Sequence, residues 1–220
     1  QIEGTTNIHP KWHPTENAYL YLSNKGNDYF GQTNLYYHDL NTGEDKKIKS
    51  GVFSAPTWHS NGQIIYYSRK PKFPNKNGSK FYDIYSFNMK DDEEKRLTND
   101  LRAFSPVFIE KDSTIAYLAT YDGGQDIYLL DLKSNNSTKI TNFENRPMIS
   151  HLSYNNISNK IYFDITEHHF RDIYSYDIDN KEIAPVSNIS SYDERNISFD
   201  EKGRSVFSQD KSGIYNLYMT

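Results

Sequence analysis

The chain has 220 residues, with 25 Lys and Arg against 29 Asp and Glu, and a net charge of −4. This balance gives no overall basic field for nucleic acid, and no apolar run approaches the roughly 20 residues of a membrane-spanning helix. The absence of Cys excludes disulfides, zinc–thiolate sites and Cys nucleophiles. Only 35% of the residues are apolar, but 19 Tyr, 12 Phe and 2 Trp dominate that set. Aromatic and β-branched side chains favour strands and are scarce in disordered segments, so we expect a folded, mostly β protein.

Five similar units follow one another along the chain. The position of Trp12 recurs at Trp58, Phe108, Leu152 and Ile197, at spacings of 46, 50, 44 and 45 residues. A second position, that of Leu35, recurs at Ile84, Ile127, Ile173 and Ile214. Two independent positions that keep one period indicate a repeat architecture.

Each unit contains short apolar runs separated by Gly, Asn, Asp, Ser and Pro, which predicts a four-stranded antiparallel meander with strands a to d. In chain order the predicted strands lie near 10–14, 19–23, 34–39 and 46–48; 55–58, 64–68, 83–88 and 95–98; 105–108, 115–118, 126–131 and 138–141; 150–152, 160–163, 172–177 and 183–186; and 196–198, 205–208 and 213–218. The predicted units are about 5–50, 51–99, 100–143, 144–189, and 190–220 together with 1–4, all within a single domain, 1–220.

The strand-c sequence Ile127-Tyr128-Leu129-Leu130 is apolar on both faces, so its sheet must be covered on both sides. Sheets stacked as blades provide that cover, and a four-stranded repeat of about 40–45 residues is typical of propellers. We therefore predict an all-β fold, a β-propeller of five four-stranded blades.

The two ends of the chain bear on the number of blades. Gln1–Gly4 occupies the place of a strand d, and the fifth unit stops after its strand c. We expect Gln1–Gly4 to pair with Tyr215–Met219 and to close the ring, which would protect the sheet edges. The alternative is a fragment of a six- or seven-bladed propeller. A first residue other than Met is expected of a processed chain or a piece of a longer one.

The order of these features resembles the WD40-like repeat of TolB-type propellers, whose unit reads roughly Pro-x-Trp-Ser-Pro-Asp-Gly, Asp-Ile-Tyr and a terminal Leu-Thr. The matching stretches are 10–14, 56–62, 83–85 with 97–98, and 126–128 with 140–141. The similarity spans essentially the whole chain. It departs from the family pattern at His13 and His59, which stand at the usual Ser.

The resemblance implies a docking platform more than a chemistry, because one fold serves many functions. It implies a periplasmic or extracellular location in a bacterial envelope and protein partners, with no nucleic acid and no direct membrane insertion. Related repeats also occur in propellers that gate peptidases or stand beside outer-membrane barrels, so fusion to or association with such a domain is a further expectation.

Motifs for catalysis are missing from the sequence. There is no Gly-x-Ser-x-Gly elbow, no His-Glu-x-x-His and no EF-hand loop. We therefore predict no catalytic residue, no metal site and no cofactor. This favours a protein without enzymatic activity but leaves the question open.

The b–c loop of the second unit departs most from the repeat. Residues 69–80 hold five cations and no acid, together with an aromatic side chain. Insertions in repeat proteins map to loops, often on a binding face. The candidate binding residues here are Arg69, Lys70, Lys72, Phe73 and Lys76; the competing interpretation is a solvated, flexible loop.

Histidines and repeated acids complete the candidate list. His168 and His169, in the b–c loop of the fourth unit, are candidate binding residues, although neighbours on an extended segment rarely chelate one ion. Asp83, Asp126 and Asp172, with Asn34 in the first unit, recur before strand c, which indicates a structural role in fixing turns.

Two hypotheses of function remain. The first is a non-catalytic protein-binding propeller, a docking module of a bacterial envelope complex. The second is a propeller that gates or assists a peptidase, or a propeller lyase or glycosidase that uses its channel, with His9, His13 and His59 as the nearest candidates. We favour the first because the repeats are complete and no catalytic constellation is present.

Overall fold

The computed structural model describes residues 4–27, 31–111, 113–167, 169–186 and 191–219, and its regular elements there are all strands. The strands are β1 (Asn7–Trp12), β2 (Ala18–Ser23), β3 (Asn34–Asp39), β4 (Asp45–Ser50), β5 (Thr57–Trp58), β6 (Ile64–Arg69), β7 (Asp83–Asn88), β8 (Glu94–Arg96), β9 (Ala103–Ile109), β10 (Thr114–Tyr121), β11 (Gly124–Asp131), β12 (Ser137–Lys139), β13 (Met148–Asn155), β14 (Lys160–Glu167), β15 (Phe170–Asp177), β16 (Glu182–Pro185), β17 (Glu194–Phe199), β18 (Ser205–Gln209) and β19 (Asn216–Met219). A search of these residues for a helix long and apolar enough to span a membrane finds none.

The strands form five antiparallel sheets that follow the chain order. Four sheets have four strands each, β1–β4, β5–β8, β9–β12 and β13–β16, and the described part of the fifth contains β17–β19. Neighbouring strands in sequence are neighbours in each sheet, as in a meander. The predicted fold class, an all-β, five-bladed propeller, is confirmed. The repeat boundaries and the single domain stay interpretations, and by compactness the chain divides into two units, 1–108 and 109–220.

The inner strands are buried on both faces, as their near-continuous apolar sequences predict. In the compact unit 1–108, Leu20, Leu22, Leu35 and Ile65 are fully buried and form one core with Trp58. In the compact unit 109–220, six consecutive residues of β10, Thr114–Ala119, are buried. β-Branched and aromatic side chains fit such a pleated, two-sided surface, which explains why a chain with few Leu and Ala folds in this way.

The repeated acid before strand c has a structural role in the second blade. The Asp83 carboxylate is fully buried and accepts the Thr98 hydroxyl (2.8 Å) and the backbone N–H groups of Asp100 (3.0 Å) and Leu101 (3.1 Å). The Thr98 hydroxyl in turn accepts the N–H of Ile84 (2.9 Å). We call this arrangement the Asp–Thr staple, because it ties the start of strand c to the connection that leaves strand d.

The third blade repeats the staple. Asp126 accepts the Thr141 hydroxyl (2.9 Å), which accepts the N–H of Ile127 (2.9 Å), and Phe143 donates its N–H to the same carboxylate (3.3 Å). Lys139 pairs with the other carboxylate oxygen (3.0 Å). The structural interpretation of Asp83 and Asp126 is therefore confirmed, and the terminal Leu-Thr of the repeat is explained by the threonine hydroxyl.

One predicted repeat position in the fifth blade is wrong. Leu35, Ile84, Ile127 and Ile173 lie in strand c of their blades, but Ile214 precedes β19. The register pairs Gln209 with Asn216, as Ser23 pairs with Asn34 and Arg69 with Asp83. The equivalent of Leu35 is therefore Leu217, and Asn216-Leu217-Tyr218 matches Asn34-Leu35-Tyr36. The preceding turn is longer than the sequence pattern suggested.

The predicted pairing of Gln1–Gly4 with Tyr215–Met219 falls largely on residues 1–3, which lie outside the described residues. Closure by that strand stays a prediction.

A buried side chain, that of Asp164, joins the fourth and fifth blades within the compact unit 109–220. Asp164 on β14 is fully buried, and its two carboxylate oxygens accept the N–H of Asn196 at 3.2 and 3.1 Å. Asn196 has a positive φ of 59° at the bulge of β17. Burial raises the pKa of Asp164 to about 7, against the opposing effects of the Asn196 N–H, Arg171 and Arg195.

The staple makes a testable contribution to stability. Thr98→Val removes the hydroxyl that bridges Asp83 and the N–H of Ile84, and a buried donor left without a partner costs about 1–3 kcal/mol. We expect a lower midpoint of urea unfolding by circular dichroism. Thr138→Val is the matched control, because Thr138 is exposed on β12, and its midpoint should stay near that of the wild type. Equal midpoints for the two variants would contradict the role of the staple.

The burial of Asp164 predicts a pH dependence. Since the pKa in the folded state (about 7) exceeds the ordinary value of 3.8, the folded state binds more protons and loses stability as the pH rises from about 4 to 7. Asp164→Asn keeps an acceptor for the Asn196 N–H and removes the buried charge. We expect its free energy of unfolding to exceed that of the wild type at pH 8, by on the order of 2–4 kcal/mol, with the difference shrinking towards pH 5. A difference that does not vary with pH would refute this account.

Candidate functional site

The b–c loop of the second blade, between β6 and β7, has a defined shape. The Asn75 side chain accepts the N–H groups of Asn77 and Ser79 (both 3.0 Å) and donates to Asp100 (3.1 Å). The N–H of Asn75 bonds the Ser79 carbonyl (2.8 Å), and Lys80 Nζ donates to the Lys72 carbonyl (2.7 Å). Asx side chains that bond nearby backbone groups fix turns in this way. The loop is therefore held by its own hydrogen bonds, which the sequence did not reveal.

This loop presents cations and an aromatic ring to solvent. Phe73 is 72% exposed, with Lys72 Nζ 5.3 Å from its ring centroid. Lys70 Nζ lies 5.0 Å from the ring of Tyr82. Lys70, Lys72 and Lys76 are exposed and have no ion pair within 4 Å among the described residues. Their charge is available to a ligand.

Arg69 differs from the other candidate cations. It ends β6, and its guanidinium donates to Glu94 at 2.8 Å and lies 5.0 Å from the Tyr85 ring. Glu94 also accepts the hydroxyl of Tyr67. Arg69 is thus engaged inside the blade, and its role in binding stays a prediction.

The connection between the first two blades brings a second aromatic ring to this loop. Val52 bridges Arg69, and the N–H of Phe53 donates to the Ser68 carbonyl (3.1 Å). Antiparallel strands place this connection and the b–c loop at the same end of the blade. Phe53 consequently stacks on Tyr82, with ring centroids 4.6 Å apart, and stays 52% exposed.

A cleft of about 510 Å³ opens beside this stacked pair. Its lining includes Asn27, Gln32, Thr33, Asn34, Ser50, Phe53, Lys70 and Tyr82. We call the exposed residues Phe53, Lys70, Lys72 and Phe73, together with the half-buried Tyr82, the aromatic–lysine surface. It combines one wall of the cleft with the neighbouring loop.

Sequence reasoning found the loop but missed Phe53 and Tyr82. Neither residue stands out in the repeat, because Tyr82 directly precedes strand c and Phe53 lies in a short connection. An aromatic ring in a short connection of otherwise smaller residues was the available signal. The contact between the two rings depends on the Phe53 N–H bonding to the end of β6, which no local pattern encodes.

The second candidate pair lies in the other compact unit. His169 is exposed in the short turn between β14 and β15, with a positive φ of 75°. His168 lies outside the described residues. Binding by either residue stays a prediction.

The histidines of the enzymatic hypothesis have structural contacts. His13 is buried; its Nδ1 accepts the N–H groups of Thr15 (3.2 Å) and Glu16 (2.9 Å), so the proton is on Nε2, which donates to the Gly62 carbonyl (3.0 Å). Its ring lies 4.6 Å from that of Trp58. A Cβ on Gly62 would come within 2.5 Å of the His13 ring. His13 therefore joins the first two blades.

The contacts of His59 follow a similar pattern, whereas His9 is exposed. His59 Nδ1 accepts the N–H of Asn61 (3.1 Å), and its ring packs 4.4 Å from that of Phe108. His9 lies on β1 with a positive φ of 55°. Over the described ranges, no three His, Asp or Glu side chains are grouped in a way that could hold a metal ion.

A second cleft, of about 560 Å³, lies in the compact unit 109–220. It is lined by Thr114, Leu129, Asp131, Ser134, Asn136, Thr138, Lys139, Ile140, Tyr176, Ile178 and Lys181. Asp131 accompanies its two lysines, and the exposed stacked rings of the first cleft have no counterpart in that lining. The first cleft therefore offers the more distinctive chemistry.

Comparisons with known proteins place the fold. No family model matches the chain, and no curated protein matches it either. Among solved structures, TolB from Acinetobacter baumannii superposes with a TM-score of 0.76 at 18% identity, over 98% of this chain and 51% of that one. A putative TolB from Agrobacterium tumefaciens gives 0.74 at 18%, over 97% and 76%. Oligogalacturonate lyase from Vibrio parahaemolyticus gives 0.64 at 13%, over 96% and 64%.

The chain thus spans about half the length of the Acinetobacter TolB chain. At these identities the similarity establishes the fold, which propellers of different function share. The resemblance to TolB-type propellers that the repeats indicated is confirmed at that level: the chain has the β-propeller fold of TolB.

Proposed function

We propose that the chain is a non-catalytic protein-docking module of a bacterial envelope complex and that it binds its partner through the aromatic–lysine surface. The observation that carries this proposal is the exposure of Phe53 and Phe73 beside unpaired lysines on an ordered loop. Exposed apolar groups with polar residues around them often mark protein–protein interaction sites.

The physical properties of the surface suit docking. Large aromatic side chains supply most of the binding free energy at interfaces, because they bury a large area with few rotatable bonds. The loop is already shaped by the hydrogen bonds of Asn75. Binding would therefore cost less conformational entropy than ordering a flexible loop would.

The local charge of this surface favours a protein partner of opposite charge. The whole chain carries a net charge of −4, whereas Lys70, Lys72 and Lys76 form a local cationic area. Exposed cations of this kind mainly accelerate and orient the approach of an oppositely charged partner. The proposed partner is therefore acidic where it meets this surface.

The envelope location rests on the similarity of fold to TolB and is part of the proposal. The competing hypothesis, a propeller that assists a peptidase or acts as a lyase, needs a polar side chain free to react. Among its candidates, His13 has both ring nitrogens bonded to backbone groups. That occupancy supports docking over catalysis at this position.

Affinity capture tests the proposal. The immobilised chain is mixed with envelope extract of the source bacterium, and captured proteins are quantified by mass spectrometry. We expect specific proteins that the double variant Lys72→Glu/Phe73→Ser captures about tenfold less, since losing one buried aromatic anchor costs at least 1–2 kcal/mol.

The matched control is Lys133→Glu/Tyr121→Ser, which removes an exposed lysine and an 81% exposed ring from the other unit. It should capture as the wild type does, and circular dichroism should show that both variants are folded. Equal losses in both variants, or no protein enriched over bare resin, would contradict the proposal.

A further inference from the structure

We infer that the cleft beside Phe53 binds a carboxylate of the partner together with an adjacent aromatic side chain, so that the recognised element is an extended acidic–aromatic segment. This inference rests on the proposed docking function and specifies the chemistry of its partner.

Several hydrogen-bond donors in the wall of the cleft are already bonded to neighbouring residues. Asn34 Nδ2 donates to Asn27 (3.2 Å), Asn27 Nδ2 donates to the Gln32 carbonyl (2.6 Å), and the Thr33 hydroxyl donates to the Val52 carbonyl (2.5 Å). These interior donors are already used to shape the wall. They define the cleft but are not free for a ligand.

Free donors lie at the rim. The exposed side chains of Lys70, Gln32 and Ser50 line the cleft, and the hydrogen bonds of the described residues include none from them. An ammonium, an amide and a hydroxyl together can donate to both oxygens of a carboxylate. None of the described residues that line the cleft is Asp or Glu, so the described part of the wall places no carboxylate beside a bound anion.

The apolar side of the cleft sets the second requirement. Phe53 and Tyr82 are stacked at 4.6 Å, Phe53 remains 52% exposed, and Lys70 lines the same cleft. Phe104 meets the Phe53 ring edge-on at 6.4 Å and fixes its orientation. Another ring added to this group gains stacking or edge-to-face contacts worth about 0.5–1.5 kcal/mol beyond buried area.

The volume of the cleft indicates whether it binds a short segment of the partner or the surface of a folded domain. A volume of about 510 Å³ is within the range of small-ligand pockets, so it holds a few side chains and not a domain face. The described lining residues include no Arg, the residue that binds phosphate in a bidentate manner. A carboxylate held by one lysine fits this donor set better than a phosphate does.

Fluorescence anisotropy with defined peptides tests the inference. The probe is a fluorescein-labelled hexapeptide of alternating Glu and Phe; the comparison peptides alternate Glu with Ser, and Lys with Phe. We expect the Glu–Phe peptide to bind the wild-type chain at least about tenfold more tightly than either comparison peptide, because only it supplies both the carboxylate and the ring. Binding should weaken as salt rises.

Two variants locate the binding. Lys70→Ala and Phe53→Ser should each weaken the Glu–Phe peptide about tenfold, whereas Phe53→Tyr, which keeps the ring, and Lys133→Ala, in the other unit, should not. Circular dichroism checks that each variant is folded. Equal affinity for the Glu–Phe and Glu–Ser peptides, no effect of Lys70→Ala, or complete displacement by 10 mM inorganic phosphate would overturn the inference.

The capture experiment separates the two failures. If Lys70→Ala and Phe53→Ser capture the partner as the wild type does while Lys72→Glu/Phe73→Ser does not, docking stands and the role of the cleft is refuted. If the peptide binds as expected but capture yields no protein, the cleft has the inferred chemistry and the docking function is refuted.

Discussion

The structure depends on one constraint: the inner strands of the blades are buried on both faces. The backbone groups at the ends of these strands therefore need hydrogen-bond partners that occupy little space in the core. The Asp–Thr staple supplies them in the second and third blades. One carboxylate and one hydroxyl satisfy three N–H groups at the fully buried Asp83 and at least two at the half-buried Asp126. Unpaired, these groups would cost more free energy than a well-made hydrogen bond contributes. Short side chains at fixed repeat positions thus allow aromatic and β-branched residues to fill the faces.

The same constraint leaves some connections free to vary. Once the staple fixes the link after strand d, the b–c loop of the second blade contributes little to the core and can carry a distinct sequence. Asn75 gives this loop its own hydrogen bonds and ties it to Asp100, which the staple positions through its N–H. The loop that carries Lys72 and Phe73 is therefore held in place by hydrogen bonds. A preformed surface binds with a smaller entropic cost. Catalysis is not needed to explain why Phe53, Phe73 and three lysines are exposed together.

Much of the fold could be predicted from the sequence, because the repeat is encoded locally. The recurring Trp12 and Leu35 positions gave five blades, and the recurring acid was correctly interpreted as structural at Asp83 and Asp126. The repeat pattern was wrong at one position of the fifth blade: it equated Ile214 with Ile84, but the strand register makes Leu217 the equivalent residue. The cleft could not be predicted, because Phe53 and Tyr82 meet only when the Phe53 segment bonds to the end of β6, which itself pairs with the start of β7. His13 likewise resembled a turn residue, and its bond to Gly62 depends on the packing of two blades.

The most direct measurement of the central claim, a preformed docking surface, is amide hydrogen exchange of the free chain followed by NMR. The amides of Gly78, Ser79 and Leu101 donate to Asn75 or Asp83, so we predict that they exchange at least about tenfold more slowly than unstructured peptide amides, with Asn75→Ala removing the protection at Ser79 and leaving that at Leu101. Exchange across residues 75–79 at the rates of an unstructured peptide would show a flexible loop and would contradict the account.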